Sequence, residues 1–238
     1  MKKSPTLNRR AFLGSAAAAS AAFSIVPRHV LGGPLFTAPS DQLTMAYIGC
    51  GTQGLREMIP LLNEEGVRIV AVCDPNRFTT DYVDWSRHGL IKQIGKALGE
   101  SSWGSQFDGI PGGRELGQEI VKKIYARQQR KPKYKGCASY ADYRELLDAE
   151  KDLDAVKIMT PDHLHAHISI AAMDKGLHVV MHKPIANRMY EARQVIDKAR
   201  KTGLSTHLLA WSQRFGNDIS MQWIRDGHIG TLRSIHNW

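Results

Sequence analysis

The stretch from Leu43 to Gly54, Leu-Thr-Met-Ala-Tyr-Ile-Gly-Cys-Gly-Thr-Gln-Gly, limits what this chain can fold into more than any other. An apolar run of strand character ends at Gly49. Gly49, Gly51 and Gly54 then stand in G-x-G-x-x-G spacing before a helical segment, Gln53 to Asn63. Each glycine meets a separate demand: a tight strand-to-helix turn at Gly49, close backbone approach to a pyrophosphate at Gly51, and helix-on-strand packing at Gly54. With Cys50, Thr52 and Gln53 between them, the spacing predicts a phosphate cradle. Unpaired N–H groups and the helix dipole at the helix N-terminus would favour the negative charge.

A glycine triplet alone is weak, and its context strengthens it. A second strand-like run, Arg68 to Cys73, ends in Asp74, twenty positions after Gly54. A dinucleotide site places there the acid that bonds the adenosine ribose. A carboxylate at that point repels a 2′-phosphate, so NAD is the expected cofactor. Arg77, three residues on, leaves NADP as the lesser alternative.

The formal net charge of +9 is unevenly spread. Residues 1–40 hold Lys2, Lys3, Arg9, Arg10 and Arg28 without an Asp or Glu, which leaves the remainder only mildly basic. Arg9 and Arg10 precede an alanine-rich apolar run, Ala11 to Val26, too short and too small-residued for a stable membrane span. This pattern predicts a twin-arginine export signal, engagement of the twin-arginine machinery and a periplasmic location. Such export carries folded proteins, so a nucleotide cofactor would cross already bound and be recycled. Three cysteines, Cys50, Cys73 and Cys137, give no disulfide framework and read as small buried thiols.

From Asn76 to Gly136 the alternation of strand and helix breaks into a glycine-bearing insert. It closes with an amphipathic helix, Arg114 to Gln129, whose Leu116, Ile120, Val121, Ile124 and Tyr125 share a face. The basic run Arg127 to Lys135 holds a single aromatic, Tyr134, and reads as a solvated loop, so no nucleic-acid partner is expected. The regular pattern resumes with a helix, Tyr140 to Leu147, and a buried strand, Ala155 to Met159, that stops at Thr160-Pro161-Asp162-His163-Leu164-His165. Ligands of open parallel sheets lie beyond the carboxyl ends of strands, which aims these residues at the crevice. A helix from His165 to Lys175 and a strand from Leu177 to Met181 follow, the strand ending in His182-Lys183-Pro184. His163, His165, His167, His178 and His182 invite a metal reading. Only Asp162 adds a ligand at helical spacing, so no metal is expected.

The order of the glycine turn, Asp74, Thr160-Pro161-Asp162 with His165-Ala166, Ala171-Ala172-Met173 to Gly176-Leu177-His178-Val179, and Lys183-Pro184 resembles the glucose–fructose oxidoreductase, inositol dehydrogenase and rhizopine catabolism (Gfo/Idh/MocA) family, in its exported members. The resemblance implies a Rossmann domain, a doubly wound parallel sheet, with a mostly antiparallel substrate domain after it. It implies hydride transfer between a nicotinamide cofactor and a sugar or cyclitol hydroxyl. On that resemblance Gly49, Gly51, Gly54 and Asp74 hold the dinucleotide and Thr160, Pro161, His163 and His165 line the nicotinamide side. Lys183 contacts the reacting hydroxyl and the ribose, and the Lys183-Pro184 peptide is cis. His182 stands where the family has Glu, and an imidazole favours the charged lysine less than a carboxylate does. Trp211 and Arg214 fall in a loop that enters the substrate cleft.

The expected organisation is a leader over 1–40, the nucleotide-binding domain over 41–215 with its insert at about 77–136, and the start of an α+β substrate domain over 216–238. Met189 to Thr202 reads as a helix, Leu204 to Ala210 as a strand, Ile219 to Asp226 as a helix and Gly230 to Trp238 as the first substrate-domain strand, so the chain reads as truncated there. Three functions follow: an exported NAD-dependent oxidoreductase of a carbohydrate or cyclitol, a glycosidase of the same fold that cycles its NAD through oxidation, elimination, water addition and reduction, or a non-catalytic nucleotide-binding module. A homo-oligomer stays open.

Overall fold

The strands of the described residues form one sheet that is parallel throughout. The computed structural model describes residues 41–84, 86–128, 136–209, 222–228, 230, 231, 233 and 234. The leader, Tyr134 with most of the basic run, Trp211 and Arg214 lie outside the described residues, as do parts of the expected Ile219 to Asp226 helix and most of the expected last strand. Six strands, β1 (Leu43–Ile48), β2 (Val67–Cys73), β3 (Ala138–Tyr140), β4 (Ala155–Ile158), β5 (His178–His182) and β6 (Thr206–Leu209), lie in the order β3-β2-β1-β4-β5-β6. All neighbours pair in parallel. This is a doubly wound sheet whose order reverses between β1 and β4, where such folds bind their ligands.

Right-handed crossovers in opposite directions send the helices to opposite faces. On one face α1 (Thr52–Leu61), α2 (Arg87–Leu98) and α3 (Arg114–Arg127) enclose a core of Tyr47, Leu55, Met58, Ile69, Leu90, Ile94, Ile120 and Val121. On the other, α4 (Tyr143–Ala149), α5 (Asp162–Asp174) and α6 (Met189–Thr202) close over Ile48, Leu146, Val156, Ile158, Ile168 and Val179. Alternation along β4 shows the split: Val156 and Ile158 enter the second core, whereas Lys157 turns to the first, 5.7 Å from the Tyr47 ring and 3.9 Å from Glu57. Burial lowers the Lys157 ammonium pKa to about 8.

Three local expectations are corrected. The expected Tyr140 to Leu147 helix begins at Tyr143, and Tyr140 instead ends the short edge strand β3. Asp142 caps α4, its carboxylate accepting the Arg144 N–H at 2.8 Å. The helix expected from His165 begins at Asp162, with Pro161 as its N-cap, so His163 and Leu164 are helical. Within the insert the sequence reading places no helix before Arg114, whereas the structure has a full one there, α2, that ends on Gly99 at φ +68°. Gly89 and Gly95 within α2, and Gly99 at its end, broke the helical pattern and hid it.

Candidate functional site: a cleft at the β1–β4 switch point

Gly49 leaves β1 at φ +104°, a left-handed conformation that a side chain strains, and a Cβ there would lie 2.6 Å from the Met159 carbonyl at the end of β4. The two strand ends can therefore meet only through glycine. A Cβ on Gly54 would lie 2.2 Å from the Gly49 carbonyl oxygen, which lets the first turn of α1 fold back on the bend. The Tyr47 hydroxyl donates to the Gly54 carbonyl at 2.7 Å and fixes that turn from below.

Asp74, only 5% exposed at the end of β2, faces this bend. Its Oδ2 accepts the Cys50 N–H at 2.8 Å and its Oδ1 accepts the Asn76 N–H at 2.9 Å. The three cysteines are buried thiols. Burial raises the Cys50 thiol and pushes Cys73 up to about 12, with the Asp74 charge adding to both, so neither is a nucleophile at neutral pH.

A cavity of about 630 Å³ runs along the bend. Its walls include Gly49, Gly51, Thr52, Gln53, Gly54 and Asp74, then Thr160, Pro161 and His163 across the β4 end. The sequence-predicted residues thus converge from β1, β2 and α5. Cys50 lies under the bend, buried, with its N–H on Asp74. His165, expected to line the nicotinamide side, is wholly buried: its Nδ1 lies 2.6 Å from the Pro184 carbonyl and its Nε2 2.8 Å from the Thr160 carbonyl. It braces the β4 loop against the β5 turn. Since both partners are acceptors, a neutral ring donates to only one of them.

The Lys183-Pro184 peptide is cis, and Lys183 is exposed at the end of β5 with its N–H on the Leu209 carbonyl of β6. His182 places Nδ1 3.1 Å from the Lys183 carbonyl. Its pKa is lowered, first by burial and further by the Lys183 ammonium, against the opposing pull of that hydrogen bond. A neutral imidazole therefore stands beside the lysine near pH 7. Among the described residues no group of three or more His, Cys, Asp or Glu side chains could hold a metal ion.

These residues fit an adenine dinucleotide on three counts. The bend forms a glycine cradle, a buried carboxylate closes the next strand, and the Thr160 Oγ1 in the cleft wall is buried without a hydrogen-bond partner. Arg77, which kept NADP open, is exposed, pairs with Glu115 at 2.6 Å and is not in the cleft wall. Sequence reasoning missed Asn76, Tyr82, Asp142, Tyr143 and Arg144, which also line the cleft. It also missed Arg114, whose guanidinium bonds the Asp74 and Pro75 carbonyls at 3.1 and 2.8 Å. The first group sits on the insert and behind an unrecognised edge strand, and the turn at Ala141-Asp142 was its one available signal.

Comparison with known proteins agrees with this geometry. Residues 113–208 match the sequence model of the Gfo/Idh/MocA oxidoreductases, described as an oxidoreductase family with an NAD-binding Rossmann fold. A levoglucosan dehydrogenase of Pseudarthrobacter phenanthrenivorans is 33% identical over 99 residues, 41% of this chain and 25% of that protein. A glycosyl hydrolase family 109 protein of Shewanella baltica is 25% identical over 95% of this chain and 44% of its own length. The chain thus spans less than half the length of these curated relatives. The crystal structure of myo-inositol 2-dehydrogenase from Lactobacillus plantarum shares the fold, with a TM-score of 0.51 at 20% identity over 79% of this chain and 42% of that one. A parallel sheet of this order, a cleft at its switch point and the family-model match over residues 113–208 together show a Rossmann domain similar to the NAD-binding domain of the Gfo/Idh/MocA oxidoreductases.

Proposed function

We propose that this domain binds NAD and serves hydride transfer between the nicotinamide and a hydroxyl of a sugar or cyclitol. The observation that carries the reading is the convergence of the glycine bend, Asp74 and the partnerless Thr160 hydroxyl on one cleft. NAD, when bound, supplies the hydride acceptor. The chain's own residues do the rest. N–H groups at the start of α1 would face the pyrophosphate charge, and Asp74 would receive the adenosine ribose hydroxyls. Thr160 Oγ1 offers one hydrogen bond on the nicotinamide side. Lys183, exposed at the β5 end, holds or accepts the proton of the reacting hydroxyl at Nζ. In the oxidising direction a secondary alcohol then loses a hydride and a proton and becomes a ketone. The levoglucosan and inositol dehydrogenases among its relatives support a polyhydroxylated ring as substrate.

A second reading is favoured by the family 109 glycosyl hydrolase, which aligns with 95% of this chain. There the NAD would be reduced and reoxidised within one turnover, so that a glycoside is cleaved with no net redox change. The twin-arginine leader, with Arg9 and Arg10, supports a periplasmic site of action for a protein that carries its nucleotide across the membrane.

NADH fluorescence titration tests the cofactor reading: saturable binding, tighter than that of NADPH, is expected, and no binding at millimolar NADH would end it. Incubation of the protein, in the longest form the gene encodes, with NAD and cyclitols or glycosides separates the two chemistries. Accumulating NADH identifies the dehydrogenase, and glycoside cleavage without NADH identifies the glycosidase.

A further inference from the structure

The insert does not stand apart from the cleft. Thr79 and Gly112 pair antiparallel and Asp81 bridges to Ile110, so the two ends of the segment that holds α2 are tied together beside the glycine bend. The Gly113 N–H donates to the Cys50 carbonyl at 2.9 Å. Thr52, the first residue of α1, donates its hydroxyl to the Val83 carbonyl at 3.2 Å. One turn on, Arg56 forms a two-pronged ion pair with Asp84 and also donates to the Ser86 carbonyl at 2.7 Å. The pair is nearly closed to solvent, the Asp84 side chain being 1% exposed. Burial would raise the Asp84 carboxyl, but its bonds to Arg56 and the Ser86 N–H outweigh this and hold it below the usual carboxylate range.

This clamp fixes Tyr82 at the cradle. A Cβ on Gly51 would lie 3.1 Å from the Tyr82 ring, and one on Gly112 would lie 2.5 Å from its other edge, so the ring is held between two glycines. Its hydroxyl accepts from Asn76 Nδ2 at 3.1 Å and points at Asp74 Oδ1, 3.5 Å away. Burial raises the phenol pKa, so the hydroxyl keeps its proton and can donate. Gly51, Asp74, Asn76 and Tyr82 all line the cavity. An aromatic ring and a hydrogen-bonding tip therefore stand beside the glycine bend and Asp74, the two groups assigned above to the pyrophosphate and the adenosine ribose.

We infer that Tyr82, delivered by the insert and clamped through Arg56 and Asp84, is a nucleotide-contacting residue that completes the adenosine side of the cleft and slows release of the bound cofactor. This rests on the NAD reading of the same cleft. The contact is paid for by the fold before the nucleotide arrives: the ring and the segment that carries it are already held by the clamp, so little freedom is lost on binding and the benefit falls on the release rate.

The test is the rate at which bound NADH, followed by its fluorescence, is displaced by excess NAD. Tyr82→Ala should speed release about tenfold or more while association changes less than about threefold. Tyr82→Phe, which keeps the ring, should show a smaller rise, about threefold. Asp84→Asn, which loosens the clamp without touching the cleft, should also speed release. It serves as the second probe should Tyr82→Ala fold poorly by circular dichroism. Unchanged release in folded Tyr82→Ala or Asp84→Asn overturns the inference, as does faster association with unchanged release in Tyr82→Ala, since the ring would then be a plug. Failure of the unaltered protein to bind NADH would strike the cofactor reading itself and is told apart on that ground.

Discussion

Asp74 has two duties that mutation can separate. It accepts N–H groups from Cys50 and Asn76, which holds the bend, and its remaining capacity is for the ribose. Asp74→Asn keeps the shape but loses the charge and sets an amide N–H against one of those donors. An unsatisfied buried group and a lost charge-assisted bond each cost about 1–3 kcal/mol. Denaturant unfolding should therefore show a loss in that range, and NADH titration a rise in Kd of about tenfold or more. Lower stability with unchanged affinity would make Asp74 purely structural. Lys157 gives a separate prediction with a definite sign. Its ordinary pKa of 10.5 falls to about 8 in the folded chain, so between these values the unfolded chain binds more protons and stability rises with pH. Below pH 8 both states are charged and the fold bears the full cost of the buried ammonium. Measured by denaturant unfolding, the stability gained by Lys157→Met over the unaltered protein should therefore shrink as pH rises from 7.5 to 10.5, the opposing trend of the buried Cys50 and Cys73 thiols being common to both proteins and cancelling in that difference.

At the level of elements, α3 sits against the cofactor bend through a glycine. A Cβ on Gly117 would lie 2.7 Å from the Cys50 sulfur, and the Gly117 N–H closes the first turn of α3 on the Gly113 carbonyl. Gly117→Ala would suit the helix by propensity, about 1 kcal/mol, yet must push α3 away from Cys50. The expected outcome is a net loss of stability of about 1–2 kcal/mol by denaturant unfolding, together with weaker NADH binding, since α3 also holds the Asp74 and Pro75 carbonyls through Arg114. A stabilised variant would show that the contact relaxes freely. How far the elements could be read from the sequence follows from how local their causes are. The glycine bend, Asp74 and helix α3 are written in short-range spacing, and the structure places them where that spacing predicts. The three-residue strand β3 is too short for alternation to register, and α2 is hidden among glycines needed for long-range packing. Tyr82 was missed for the same reason: its partners Gly51 and Gly112 lie 31 and 30 positions away, and nothing in its neighbourhood marks it.

On the scale of the described domain, the insert is part of the core. Leu90 and Ile94 from α2, Trp103 and Ile110 pack in one cluster with Tyr47 of β1, Leu55 and Met58 of α1 and Ile120 of α3. Trp103 and Phe107 meet edge to face at 5.7 Å between centroids. A loop added to a finished sheet would open on its own, at little cost to the remainder. This one cannot, because lifting α2 would expose apolar surface of α1 and α3 and release the clamp on the glycine bend. Stability should therefore be shared. Thermal unfolding followed at the tryptophans and by far-ultraviolet circular dichroism should give coincident single transitions. Amide hydrogens of Leu90 and Ile94 should exchange as slowly as those of β1, within about 1 kcal/mol of the global unfolding free energy. Adding saturating NADH should raise protection in α2 along with that in the bend. Early exchange or early cleavage confined to residues 86–112 would show a separately melting insert, and the link drawn between the insert and cofactor retention would then lose its mechanical basis.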